Sequence, residues 1–139
     1  MEIQFYKDGK VDPQLYSRKA EEIANKLIGI SGRNVNGVSS TQFRRFFDEA
    51  KRLERMCRGN ETKWEDIKPQ VKLLKAKTAY NVARAKSNNK YDAKYYDNLK
   101  DFLHTCIDKV DTFKDYQVFC LLFEAVYGYY YELGGVRKK

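Results

Sequence analysis

Residues 115–133, DYQVFCLLFEAVYGYYYEL, decide the fold of this chain. Apolar and aromatic side chains occur on almost every side of a helix drawn through this segment, and its few charged residues are Asp115, Glu124 and Glu132. A helix that is apolar nearly all round is stable only when other elements cover it. Gly134 and Gly135 come directly after this segment, and glycine commonly ends a helix because its backbone can adopt conformations that other residues avoid. The segment therefore predicts the central, most buried helix of the protein.

Four further segments carry apolar residues at the three-and-four spacing of helices. The predicted spans are Asp12 to Gly29, Ser39 to Gly59, Thr62 to Asn89, and Tyr95 to Val110. Asp12 is the expected cap of the first span, and the hydroxyls of Ser39, Ser40 and Thr41 can cap the second. Thr62 to Glu65 has the spacing of a capping box and is expected to open a short turn, which Pro69 should kink or break before the long helix that ends near Asn89. Residues 31–37, rich in Gly, Asn and Ser, are expected to form a mobile loop. No alternating run is long enough for a strand, so we predict an all-α protein.

The length of 139 residues suits a single helical domain, residues 1–139, folded as a compact bundle of about five helices. Cys57, Cys106 and Cys120 are an odd number in apolar surroundings, which indicates free thiols and a reducing, cytoplasmic compartment. The amino-terminal residues lack the order of a signal peptide, and the longest apolar run, Val118 to Phe123, is too short to span a membrane. We therefore expect a cytoplasmic protein without membrane contact.

The net charge of +8 comes entirely from the middle of the chain. Residues 40–90 contain fourteen Lys and Arg against six acids, and the rest of the chain is balanced at thirteen of each. Because this charge coincides with helical apolar patterns, it predicts one electropositive face. A polyanion, RNA or DNA, is the expected partner.

On the second predicted helix the cations form two rows beside the apolar side. The first row is Arg44, Lys51, Arg55 and Arg58, and the second is Arg45 and Arg52. Like charges three and four residues apart cost helix stability, and a partner with negative charge would explain why they are tolerated. The alternative is a solvated face that only keeps the protein soluble.

The third predicted helix has a similar division. One direction is shared by Lys68, Lys72, Lys75 and Lys86, and another by Lys77 and Arg84. Arg84 lies at the edge of the apolar side, where it could contact a phosphate, cover the core or close an ion pair. Tyr91, Tyr95 and Tyr96 could stack on bases, but their helical spacing favours core packing.

Residues for catalysis, metals or cofactors are scarce. His104 is the single histidine and has no acid placed to orient it. Adjacent acids such as Asp48 and Glu49 point to different sides of their helices, so they do not form a two-metal carboxylate site. The glycines match no nucleotide-binding loop. We therefore predict a binding protein without catalytic residues, metal or cofactor.

Three blocks, taken in order, resemble a known family. They are VSSTQFRRFFDEAKRL at residues 38–53, LLKAKTAYNVAR at residues 73–84 and FCLLFEAVYGYY at residues 119–130. Together they resemble the small subunit of the type III-A CRISPR effector, the Csm complex. Thr78 and Asn81 depart from the small or apolar residues usual at those positions.

The resemblance implies a non-catalytic subunit of antiviral defence. Several copies would associate with one another as an inner filament along the guide RNA and its paired target RNA. Target cleavage would belong to the backbone subunit, and signalling and DNA cleavage to the large polymerase-like subunit. The family's basic residues correspond to Arg44, Arg45, Lys51, Arg52, Lys75, Lys77 and Arg84. Arg55 and Arg58 extend the same row by helix geometry alone.

Two other functions remain open at this point. A helical DNA-binding regulator would need two short helices joined by a three- or four-residue turn, and the sequence shows no such pair. A structural adaptor would use the same basic face to bind an acidic protein. Binding to RNA, RNA duplex and DNA would separate these functions.

Overall fold

Five α-helices make up most of residues 1–135, the part of the chain that the computed structural model describes. They are α1 (Ala20–Leu27), α2 (Ser40–Cys57), α3 (Trp64–Asn88), α4 (Ala93–Lys109) and α5 (Phe113–Glu132). The predicted all-α bundle of about five helices is confirmed. The cysteines are free and buried, in agreement with their apolar surroundings in the sequence.

Helix α5 lies at the centre of the bundle, as the sequence predicts. Its buried side chains point in most directions around the axis: Phe113, Tyr116, Val118, Phe119, Cys120, Leu122, Phe123, Val126 and Tyr130. The helix begins with a capping box that the sequence analysis missed, in which Thr112 and Asp115 satisfy each other's backbone amides at 3.1 Å. Tyr6 donates a hydrogen bond of 2.6 Å to the same Asp115 carboxylate. The amino-terminal segment is thereby tied to the start of the central helix.

Helix α2 packs its aromatic side against α5. The ring of Phe43 is fully buried, with its centroid 5.4 Å from that of Phe123 and 4.7 Å from that of Tyr130. Phe47 also contacts Phe123, at 5.3 Å, but is only half-buried. The helix starts at the predicted cap, where the Ser39 hydroxyl accepts a hydrogen bond from the Gln42 amide at 3.2 Å. This packing fixes which sides of α2 remain at the surface.

The prediction that the chain has no strands is wrong. Two antiparallel hairpins are present, β1 (Tyr6–Lys7) with β2 (Lys10–Val11), and β3 (Ile28–Ser31) with β4 (Asn34–Gly37). The second hairpin occupies the place of the loop expected at residues 31–37. Its strands of four residues are too short for alternation to be visible in the sequence.

The base of the second hairpin is held by three helical side chains. Asp92 accepts a hydrogen bond of 3.0 Å from the amide of Gly37, and the hydroxyl of Tyr96 accepts one of 3.1 Å from the amide of Ser39. Tyr130 donates to the carbonyl of Val38 at 2.5 Å. Gly37 has a φ of +139°, a conformation that favours glycine. These contacts set the direction in which the chain enters α2.

Two helix boundaries differ from the predictions. Asp12 caps the following turn as expected, but residues Leu15–Lys19 form a wider π-helical turn before α1, which ends at Leu27 because Ile28 begins β3. The capping box expected at residues 62–65 is absent, since a 3₁₀ turn precedes α3 and the hydroxyl of Thr62 bonds the side chain of Asn60 instead.

The break expected at Pro69 is also wrong, because α3 continues through this residue. Pro69 is exposed and lies in the second turn of the helix. Pro69 lacks the backbone N–H that would donate to the carbonyl of Glu65, so one helical hydrogen bond is missing. Because both residues lie at the surface, water can donate to this carbonyl instead.

The packing of α2 on α5 predicts unequal costs for two similar substitutions. Phe43→Ala should lower the free energy of unfolding by about 3–5 kcal/mol, because it leaves a cavity in the core. Phe47→Ala should cost roughly half as much, since part of that ring is already in water. Urea denaturation followed by circular dichroism measures both values. Equal costs, or a larger cost at Phe47, would contradict this description of the core.

Candidate nucleic-acid interface

The nine predicted cations lie on three separate helix flanks. The side of α2 next to α5 carries Arg44, Lys51, Arg55 and, just beyond the helix, Arg58. The side of α2 towards α3 carries Arg45 and Arg52, near Lys77 and Arg84 of α3. Lys75 of α3 faces α4. The two rows on α2 lie about 100° apart around its exposed side, because Arg44 and Arg45 are consecutive residues of the helix. The fold turns Lys75 away, towards Asp108 of α4, and one electropositive face formed by the other eight cations stays a prediction.

On the α5 side of α2, most cations are paired with acids of the same helix. Arg44 lies 3.7 Å from Asp48. Lys51 and Arg58 both bind the carboxylate of Glu54, at 2.9 and 3.1 Å. The Glu54 side chain is only 7 % exposed, so its two cations compensate a buried charge. The sequence analysis did not predict this burial, although the helical phase of Glu54 places it between Phe43 and Phe47.

Arg55 is the exception on this side of α2. Its side chain is exposed, and it has no carboxylate partner among residues 1–135. It is therefore the cation of this row that is most available to an external anion.

The lysines of α3 that share one direction join α3 to α4. This α3–α4 lysine row consists of Lys68, Lys72, Lys75 and Lys86. Lys68 pairs with Asp111 at 2.7 Å, Lys75 with Asp108 at 2.5 Å, and Lys86 with Asp97 at 2.7 Å.

The fourth member of the row, Lys72, binds the carboxyl end of α4. Its ammonium group donates to the backbone carbonyls of Ile107 at 2.8 Å and Val110 at 2.6 Å. Carbonyls in the last turn of a helix lack intrahelical donors and attract positive charge. Burial lowers the pKa of Lys72, and the hydrogen bond from Lys75 lowers the pKa of Asp108. The row thus has a structural task, and Lys75 belongs to it.

The remaining cations lie along an open groove between α2 and α3. We define the α2–α3 groove by six side chains that line it from both helices: Gln42, Arg45, Lys77, Asn81, Arg84 and Asn88. Three adjoining cavities of about 340, 100 and 170 Å³ form it, and neighbouring cavities share lining residues. From Lys77 to Asn88 the groove follows α3 for roughly 17 Å, at about 1.5 Å per residue.

Charge pairing in the groove is concentrated at one end. Arg52 binds Glu49 through two hydrogen bonds of 2.7 and 3.3 Å, and Lys77 lies 3.7 Å from the same carboxylate. The hydrogen bond from Arg52 lowers the pKa of Glu49, so this acid stays ionised. Arg84 lies over the ring of Tyr80, 5.7 Å from its centroid. Neither Arg45 nor Arg84 has a carboxylate partner among residues 1–135.

A second groove, near the amino terminus, has the opposite character. Its volume is about 290 Å³, and Glu2, Asp12 and Glu22 line it together with Arg18 and Lys19. Arg18 and Lys19 are already paired with Glu22, at 3.5 and 3.7 Å. The excess of carboxylates makes this groove unsuitable for a polyanion, although it is wide and open.

The three tyrosines considered for base stacking have different environments. Tyr96 is buried and holds the second hairpin, and Tyr95 is half-buried beneath Gly29. Core packing is therefore the correct prediction for these two. Tyr91 is 92 % exposed at the start of the α3–α4 connection, which the helical spacing alone did not predict.

Groups suited to catalysis have structural surroundings. The Nε2 atom of His104 lies 2.9 Å from the backbone carbonyl of Lys75. Burial raises the pKa of the Cys106 and Cys120 thiols well above the ordinary value, so both are uncharged at neutral pH. Residues 1–135 contain no cluster of three His, Cys, Asp or Glu side chains that could hold a metal ion.

No helix in the same range is both long enough and apolar enough to cross a bilayer.

Comparison with known proteins identifies the family. The profile of the family Csm2 Type III-A matches residues 10–135, which covers all five helices. No curated protein and no solved structure matches the chain. The match agrees with the resemblance carried by the three sequence blocks, of which the first two contribute both walls of the α2–α3 groove. The chain belongs to the Csm2 Type III-A family, the small subunits of the type III-A CRISPR complex.

Proposed function

We propose that this chain is a non-catalytic inner-filament subunit that binds the guide RNA paired with target RNA during antiviral defence. The family match over residues 10–135 carries this proposal. The position of Arg45 and Arg84 along one groove, without carboxylate partners in the described chain, supports a contact with RNA phosphates.

The nine predicted cations divide into three groups under this proposal. Arg45, Lys77 and Arg84 form the main phosphate contact, because they line one groove. Arg44, Arg52, Arg55 and Arg58 are exposed and extend the contact on either side of α2. Lys51 and Lys75 act mainly through their ion pairs with Glu54 and Asp108.

Binding of this kind recognises the shape and charge of the duplex. Guanidinium and ammonium groups contact phosphates, which carry no sequence information. Sequence selection is left to base pairing between the guide and target strands. The groove therefore needs no residues that read base edges.

Contacts with other Csm subunits complete the proposed role. The backbone subunit, the large polymerase-like subunit and further copies of this chain are the expected neighbours. Large apolar side chains exposed on the outer sides of α3 and α5 are available for such packing: Leu73, Tyr80, Leu121 and Tyr131.

Removal of the groove cations should weaken RNA binding without loss of fold. In the variant Arg45→Ala, Lys77→Ala, Arg84→Ala, affinity for an RNA duplex should fall, and the slope of log affinity against log salt should decrease by about 2–3. A matched variant, Lys26→Ala, Lys100→Ala, Lys109→Ala, removes three exposed charges elsewhere and should keep most of the slope. Fluorescence anisotropy between low and moderate salt measures both.

Four outcomes of the binding measurements would contradict the proposal. Wild-type binding that does not respond to salt would rule out phosphate contacts as its source. Equal effects of the two variants would show that the groove has no special role. Thermal melting followed by circular dichroism checks that both variants keep their fold. Preference for one DNA sequence would indicate a regulator, and no nucleic-acid binding, alone or in the complex, would indicate a protein-docking adaptor.

The purified chain should not cleave RNA with magnesium or manganese. Labelled RNA incubated with either ion should remain intact on a denaturing gel, because no group described above is placed for general acid or base catalysis. Cleavage that persists through further purification and is lost when an acid such as Glu49 is replaced would contradict the non-catalytic role.

A further inference from the structure

The middle cavity of the α2–α3 groove differs chemically from its two neighbours, because it is lined by two arginines and by no acid. It measures about 100 Å³ and is lined by Arg45, Arg84, Gln42, Asn81 and Asn88, with Ala85 as its apolar member. Gln42 lies in the first turn of α2 and Asn88 ends α3, so the two helices bring these amides together from opposite walls. The cavity thus combines two guanidinium groups with three carboxamides.

Most of the hydrogen-bonding capacity in this cavity is unused within the chain. Among residues 1–135, the side chains of Gln42, Arg45 and Asn88 have no hydrogen-bond partner. Asn81 donates its amide nitrogen to the carbonyl of Lys77 at 2.9 Å, which leaves its side-chain oxygen available as an acceptor. Arg84 lies over the ring of Tyr80, and its guanidinium group has no hydrogen-bond partner among residues 1–135. These groups can therefore bind a ligand without breaking an internal contact.

The mixture of groups indicates what kind of ligand fits. A phosphate alone requires donors, which the two guanidinium groups supply. Carboxamides offer a donor and an acceptor on one group, and a hydroxyl offers the same pair. A phosphodiester with a hydroxyl beside it satisfies both sets, and this combination occurs in RNA but not in DNA.

We propose that the cavity is a ribonucleotide-specific subsite, in which Arg45 and Arg84 hold a phosphodiester while Gln42, Asn81 and Asn88 bind the neighbouring ribose 2′-hydroxyl. The proposal rests on the RNA-binding function proposed above and adds the residues that distinguish RNA from DNA. Because the A-form minor groove displays 2′-hydroxyls, a paired guide and target can present this group to the cavity.

The test compares two duplexes of the same sequence and the same helical form. One is RNA and the other is 2′-fluoro RNA, which stays A-form but cannot donate from the 2′ position. The readout is the ratio of the two dissociation constants, measured by fluorescence anisotropy with the full chain at low salt. Wild type should bind the RNA duplex about threefold to tenfold more tightly, the effect of one or two neutral hydrogen bonds.

The variant Gln42→Met, Asn88→Leu removes two carboxamides at similar side-chain size. It should lower the ratio at least twofold, because Asn81 alone remains of the three carboxamides, and it should leave the salt dependence unchanged, because no charge is altered. The matched control, Gln117→Met, Asn25→Leu, changes exposed residues of the same types on α5 and α1 and should keep the wild-type ratio. Thermal melting confirms that each variant is folded.

Each outcome separates this proposal from the general RNA-binding function. Salt-dependent but equal binding of both duplexes by wild type would overturn the hydroxyl subsite and leave RNA binding intact. A ratio that is unchanged in the Gln42 and Asn88 variant would show that these two carboxamides do not detect the hydroxyl and would overturn the assignment. Binding of neither duplex would overturn both proposals.

Discussion

Burial of α5 on most of its sides is the constraint on which the rest of the structure depends. Phe43 packs between Phe123 and Tyr130, and this contact sets the rotation of α2 about its axis. Two buried hydroxyls reinforce the arrangement, since Tyr116 donates to the carbonyl of Ala50 at 2.6 Å and Tyr130 to that of Val38. A buried tyrosine needs such a partner, so each bond fixes a second element against α5. Once α2 is oriented, Arg44 lies towards Tyr127 of α5, and Arg45, about 100° further round the helix, lines the groove with α3.

The same packing sorts cations with structural roles from those available to a ligand. Aspartates of α4 and the turn after it face the α3–α4 lysine row, so charges that look like a binding stripe in sequence hold two helices together. Exposed pairs of this kind contribute about 0–1 kcal/mol each, and their main effect is on orientation. The α2–α3 groove has fewer acids, and Glu49 offsets only its Lys77 end. Arg45 and Arg84 therefore line the groove with their charge uncompensated by a carboxylate of residues 1–135.

Local signals in the sequence predicted much of this fold, and tertiary contacts decided the rest. The five helices, the cap at Ser39 and the burial of α5 follow from spacing and residue type. The second hairpin could not be predicted, because its base is set by Asp92 and Tyr96, more than fifty residues away. For the candidate site, helical periodicity correctly placed Arg44 and Arg45 in different rows of α2, and Lys75 and Lys77 in different directions on α3. It could not show that Lys75 meets Asp108, or that Gln42 and Asn88 share a cavity, because each pair joins different helices.

The central claim is that RNA lies in the α2–α3 groove, and an NMR titration of the ¹⁵N-labelled chain with an RNA duplex tests it most directly. The side-chain Nε–H resonances of arginine report on each guanidinium group separately. The account predicts that Arg45 and Arg84 shift most, that Arg55 shifts less, and that Arg18, paired with Glu22 on the other groove, stays unchanged. Shifts confined to Arg44, Arg55 and Arg58 would place the RNA on the α5 side of α2 and contradict the account.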